Sequence, residues 1–202
     1  MPHKVFISYH HGGDAAYKEQ LLVLNQRYGI FIDGSVNTRD IDDRLPDSTI
    51  REIIRDDYLR DSTVTVVLVG PGTWGRKHVD WEIYSSMFDG RRNKKSGVLA
   101  IMLPSTGCDS FTVPHTGEKE RVYSDCTSWF TIDKRSEYEQ RYPSMPERLI
   151  DNLLKKEAKV SVTTWDRVTA DLSKLEFLID AAWKDRILCE YDLSRPMRRN
   201  NA

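Results

Sequence analysis

Asp61-Ser-Thr-Val-Thr-Val-Val-Leu-Val-Gly-Pro-Gly-Thr-Trp74 is the stretch on which the fold turns. From Ser62 to Val69 it is uncharged and rich in β-branched residues, as expected of a strand in a parallel sheet covered on both faces. Gly70-Pro-Gly72 stops the strand, and a helix is expected from Lys77 or His78. A strand buried on both faces needs a helical layer on each side, so the flanking sequence must supply helices.

Upstream, Lys4-Val-Phe-Ile-Ser8 is a short apolar strand that emerges at Ser8-Tyr9. His10-His-Gly-Gly-Asp14 makes a turn in which Asp14 is placed to cap a helix from Ala15 to about Arg27. Tyr17, Leu21, Leu24 and Tyr28 recur there at helical spacing. Gly29-Ile-Phe-Ile-Asp33 is a second strand, with Asp33 delivered to the mouth of a site. A polar loop spans 34–47. Thr49 and Glu52 have capping-box spacing ahead of a helix whose apolar face is Ile50, Ile53, Ile54 and Tyr58.

Downstream, Gly97-Val-Leu-Ala-Ile-Met-Leu103 is another buried strand. Periodicity lapses over 105–143, a stretch too long to lack any short element in a compact domain. Ser144, Pro146 and Glu147 open a helix to about Ala158, and Lys159 to Thr163 forms the last strand. A final helix runs from Leu172 to about Arg186, with Leu175, Leu178, Ile179, Ala182 and Trp183 on its packing face. The order predicts a three-layer α/β domain over 1–193, with an irregular insertion near 105–143 and a mostly parallel sheet of about five strands. Val5, Ile7, Val66, Leu68, Leu99 and Ile101 should form its core. The polar tail 194–202, with Arg195, Arg198 and Arg199, is expected to fray.

Composition narrows the function classes. Thirty Lys and Arg against 31 Asp and Glu give a net charge of -1, which excludes a bulk electrostatic grip on nucleic acid. No apolar run approaches the roughly 20 residues of a membrane span. Cys108, Cys126 and Cys189 are odd in number and widely spaced, so reduced thiols and a cytoplasmic location are expected. Glycine-rich dinucleotide and phosphate-loop motifs and the Gly-x-Ser-x-Gly elbow are absent, and no spacing identifies a metal site.

In such sheets ligands gather beyond the carboxyl ends of the strands, where the strand order reverses. Glu82 falls there, near the start of the helix after the strongest strand. It lies at the edge of the packing stripe Val79, Ile83, Met87, where the helix N-terminus favours an ionised carboxylate. A helix-start acid on the rim of the core has the same pattern. Asp80 is the competing acid and is expected to face solvent. Trp74 and Trp81 either wall a pocket or simply pack. Gly70-Pro-Gly-Thr73 offers backbone donors and a hydroxyl, or is a plain turn. Arg91 to Lys95 is expected to be a solvated basic connection.

Lys4-Val-Phe-Ile-Ser-Tyr-His10 with Asp14, the Asp61–Trp74 tract, and Val79-Asp-Trp-Glu-Ile83 together resemble the TIR-like proteins of the Thoeris anti-phage defence system. The resemblance covers most of residues 3–103. It implies a flavodoxin-like sheet of order 2-1-3-4-5 and cleavage of NAD, taken as substrate rather than as a tightly bound cofactor, at the bond between nicotinamide and ribose. It further implies an ADP-ribose-derived, cyclic signal nucleotide that activates a separate effector, and self-association. Glu82 maps onto the family's catalytic glutamate; Ser8 and Tyr9 map onto its site-lining serine and aromatic residue. Asp33, Thr73, Trp74 and Trp81 are expected to complete the substrate-binding set, with no metal, nucleic acid or membrane involved. Some relatives act only as interaction modules, which is the alternative.

Overall fold

Val64–Val69 (β3) is buried at every position and is paired in parallel on both sides. In the computed structural model, which describes residues 1–34, 41–42, 44–91 and 93–202, it is the central strand of a five-stranded sheet. The other strands are His3–Ser8 (β1), Phe31–Asp33 (β2), Gly97–Met102 (β4) and Ser161–Thr164 (β5). All pairings are parallel and the order is β2-β1-β3-β4-β5. The helices are His11–Tyr28 (α1), Asp47–Ile53 (α2), Lys77–Met87 (α3), Glu118–Val122 (α4), Arg135–Arg141 (α5), Glu147–Leu153 (α6), Trp165–Ala170 (α7) and Leu172–Asp185 (α8).

Alternation along the strands sorts the core into two faces. Val5, Ile7, Val66, Leu68, Leu99 and Ile101 point together to one side, where Leu21 of α1 and Leu175, Leu178, Ile179 and Ala182 of α8 cover them. Val67, Val69, Val98, Ala100 and Met102 point to the other and meet Val79, Ile83 and Met87 of α3 and Leu149 and Ile150 of α6. Phe6, on this second side, packs with Ile50 and Ile54 near α2 and with Trp81. Gly97 is required where it stands, because a Cβ there would lie 2.2 Å from the Ala182 carbonyl oxygen.

Several local expectations are corrected. Asp14 does not cap α1: the His10 carbonyl already accepts from the N–H groups of Gly13 and Asp14 (3.1 and 2.8 Å), so the helix starts earlier and Asp14 lies within its first turn. Tyr28 is exposed. The Thr49–Glu52 capping box does not form, because Pro46 takes the cap position and its carbonyl receives the Thr49 and Ile50 N–H groups. After α2 the chain widens into a π-helical turn, Ile54–Tyr58, closed by the Leu59 N–H on the Ile54 carbonyl. Of the 34–47 loop, residues 35–40 and 43 lie outside the described residues, as does residue 92 of the basic run.

The stretch 105–143 holds α4 and α5 and covers the outer edge of β5. The Thr112 N–H donates to the Val162 carbonyl (2.9 Å), and the Val162 N–H donates to Thr112 Oγ1 (2.8 Å). An edge strand that would otherwise expose donors and acceptors is thereby closed. The helix expected from 144 to 158 ends at Leu153, with a short turn at Lys156–Ala158, and α7 follows β5 directly. Trp183, expected in the core, is 37% exposed and stacks on His3 at 4.4 Å.

Candidate functional site

Ser8, the last residue of β1, lies opposite Val67 of β3 at the carboxyl end of the sheet. β1 has β2 on one flank and β3 on the other, so the chain order reverses here and opens the crevice that such sheets use for ligands. The second turn of α3 brings Glu82 to the same point. The Ser8 hydroxyl donates to Glu82 Oε2 at 2.6 Å, a short charge-assisted bond. Ser8 is fully buried and Glu82 is 5% exposed. The geometry follows from the packing stripe: with Val79, Ile83 and Met87 held on the sheet, the side chain at 82 must lie along the rim of that contact.

A second polar cluster braces the crevice. Asp14, one turn into α1, accepts from the Thr73 hydroxyl (3.2 Å), and Thr73 Oγ1 in turn accepts from the Gly70 N–H (2.9 Å). A Cβ at Gly70 would stand 2.1 Å from Asp14 Oδ1, so only glycine allows the approach. The turn after β3 is thus pinned to the start of α1. Burial raises the Asp14 carboxyl above its ordinary range, opposed by the Thr73 bond and by His10. The His10 ring is held below the usual histidine range by burial and by Arg76, with Asp14 opposing.

The remaining expected site residues are distributed unevenly. Tyr9 follows Ser8, half-buried, with its ring 4.2 Å from His11 and under the Lys18 ammonium at 5.5 Å. Thr73 is buried within the brace just described. Trp74, in the same turn, is 44% exposed. Asp33 is exposed and level with Val5, three residues (about 10 Å of strand) short of Ser8, so β2 does not carry it to the Glu82 carboxylate.

Trp81 is not at the crevice. It is fully buried among Phe6, Ile50, Ile54 and Met197, and its indole N–H donates to the Arg198 carbonyl (2.7 Å). Asp80 is also corrected: it is 6% exposed and grips Arg148 through two bonds of 2.8 and 3.0 Å. The cause of both corrections is a third layer on α3. Residues 195–202, expected to fray, cross the outer side of that helix. The Arg198 N–H donates to Asp80 Oδ2 (2.8 Å), and Arg148 donates to the carbonyls of Arg195 and Pro196. Asn201 Oδ1 accepts the Lys77 N–H (3.0 Å), satisfying one of the donors left open at the start of α3, and the Ala202 N–H reaches the Gly75 carbonyl. Arg148 and the strap carried no local signal, since Asp80 and Arg148 are 68 residues apart in the chain.

Among the described residues no cluster of three His, Cys, Asp or Glu side chains is arranged to hold a metal, and no helix is long and apolar enough to cross a membrane.

A five-stranded all-parallel sheet of order β2-β1-β3-β4-β5 between helical layers is the three-layer α/β architecture of a TIR-like domain. The family model of the Thoeris protein ThsB, TIR-like domain, matches residues 6–107, half of the chain, and the chain belongs to that family. It is thus a defence-related TIR-like module. No curated protein matches the chain. The matched residues include Ser8, Asp14, Asp33, Thr73 and Glu82; the Arg148 contact and the strap lie beyond them.

Proposed function

We propose that this TIR-like domain cleaves NAD between nicotinamide and ribose and passes the ADP-ribose part on as a signal nucleotide, formed by cyclisation, to a separate effector. The observation that carries the proposal is the Ser8–Glu82 bond, which fixes a nearly buried carboxylate at the ligand-binding end of the sheet. When the bond between ribose C1′ and the pyridinium nitrogen breaks, its electron pair leaves with nicotinamide, which departs neutral. The ribose is left with oxocarbenium character, as in glycosidic cleavage. Glu82 opposes that charge, and in a site that excludes water a fixed carboxylate acts far more strongly than in solution. No general acid is needed, because the leaving group is cationic before the bond breaks. Ser8 holds one carboxylate oxygen in place, and Tyr9 and Trp74 flank the sugar. A nucleophile of the same molecule, held close, then closes a ring; water at that position gives hydrolysis instead.

A second reading, an interaction module with little turnover, is favoured by one observation: Ser8 has no exposed surface and Glu82 only 5%. Substrate access then requires the crevice to open, which on our proposal accompanies self-association. Chromatography of NAD incubated with the protein, over a wide range of protein concentration and with light scattering in parallel, separates the two. Nicotinamide release that rises with association supports the enzyme; its persistent absence from folded protein supports the module.

A further inference from the structure

Residues 109–160 build a second concavity, of about 630 Å³, that contains neither Ser8 nor Glu82 and lies beyond the matched residues. Its size falls within the roughly 300–1,000 Å³ of small-molecule sites. It combines aromatic faces with a local excess of positive charge. The lining includes five cationic side chains, Lys119, Arg141, Lys155, Lys156 and Lys159, against one acid, Asp109. In a chain of net charge -1 that excess is a property of the place, not of the composition.

The cations and the rings are also arranged together. The Lys119 ammonium lies 4.4 Å from the Trp129 ring centre, and the Arg141 guanidinium lies 4.3 Å from that of Phe130. Trp129 and Phe130 are 38% and 67% exposed, so both adjacent rings are open to a ligand as well as to their cationic partners. Phe111 stands edge-on to Trp129 at 6.0 Å and stacks on Tyr123 at 3.9 Å, so the Trp129 wall is backed by the core. Lys159 already holds Asp185 at 2.8 Å, whereas Lys155 meets only an exposed Glu190 at 3.6 Å and Lys156 is exposed. Anion binding therefore falls to Lys119, Arg141, Lys155 and Lys156.

A ligand that uses both features needs a flat π-face and a compact negative charge. Inorganic anions use only the cations, and a nucleic-acid strand needs a continuous basic groove longer than this open concavity. We propose that the concavity binds a mononucleotide, its base on the Trp129 and Phe130 faces and its phosphate among Lys119, Arg141, Lys155 and Lys156. The proposal does not rest on NAD cleavage and stands or falls separately from it.

Titration calorimetry of the full chain with AMP tests it, with adenosine, inorganic phosphate and a short oligothymidylate as comparison ligands. AMP is expected to bind more tightly than adenosine or phosphate. Trp129→Ala should weaken AMP roughly tenfold or more, the scale of a lost base–aromatic stack. Lys156→Glu should weaken it while leaving adenosine unchanged. Both positions are exposed, and melting curves identify any variant that is misfolded, in which case the other decides. Undetectable AMP binding at millimolar concentration overturns the proposal. So do unchanged AMP affinity in the folded variants, phosphate binding as tightly as AMP, or oligothymidylate binding more tightly than AMP.

Discussion

The Asp80 carboxylate and the Arg148 guanidinium, both nearly or fully buried, face each other through paired hydrogen bonds of 2.8 and 3.0 Å and tie α3 to α6. Arg148 gives two of its other three N–H donors to the carbonyls of Arg195 and Pro196, so one guanidinium fastens two helices and the strap. The helix that carries Glu82 is held from outside as well as from the sheet.

Removing one partner of such a pair leaves a buried charge uncompensated, which typically costs about 3–5 kcal/mol. Asp80→Asn is therefore expected to lower the unfolding free energy by about that amount, measured by urea denaturation. Asp80→Asn combined with Arg148→Met should recover part of the loss, because the double change removes the stranded charge. An Asp80→Asn protein as stable as wild type would show that the pair is solvated.

The strap predicts a similar outcome far from the sheet. Met197 is 4% exposed and packs with Trp81, Ile41 and Ile50. Met197→Ala should cost about 2–5 kcal/mol, the usual range for truncating a buried side chain of this size. A frayed tail would give a change within about 0.5 kcal/mol, as for exposed positions generally. Urea denaturation separates the two outcomes.

Glu118 supplies a pH signature. It is fully buried beside Ser161 and the His115 N–H, and burial pushes its carboxyl up to about 8. A group whose folded pKa is raised binds its proton more tightly in the native state, so its contribution to stability is present at acid pH and lost as pH rises toward 8. His115, held low by burial against its bond to Asp185, works the other way, favouring the native state as the ring loses its proton. The difference between wild type and Glu118→Gln isolates the carboxyl. Relative to the variant, wild-type melting temperature should fall steadily from about pH 5 to pH 8. A constant difference over that range would contradict the assignment.

β3 and β4 were legible because fully buried parallel strands write themselves as uncharged β-branched and aliphatic runs. Core alternation then followed from the period of two. The Val79–Ile83–Met87 stripe located the sheet-facing side of α3 and, with it, Glu82 on the rim. The same stripe misled for Asp80, since a polar residue off the stripe looks solvated unless a further layer covers it. That layer, α6 and 195–202, is joined to α3 by contacts of long sequence separation that leave no local pattern. Asp33 was misplaced for a related reason: the register of β2 against β1 is a tertiary property. The Ser8–Glu82 contact is likewise non-local: the family resemblance mapped both residues to the site, but nothing in the sequence indicated that they touch.

The most direct test of the central claim is nicotinamide release by wild type and Glu82→Gln under identical conditions, with melting curves for both. Glutamine keeps the size of the side chain and an oxygen able to accept from Ser8, but removes the charge that opposes the ribosyl cation. The loss of one preorganised electrostatic contact lowers rates by about 10²–10³. The account predicts a fall of at least that order in a protein that melts near wild type. Undiminished release from folded Glu82→Gln would contradict it.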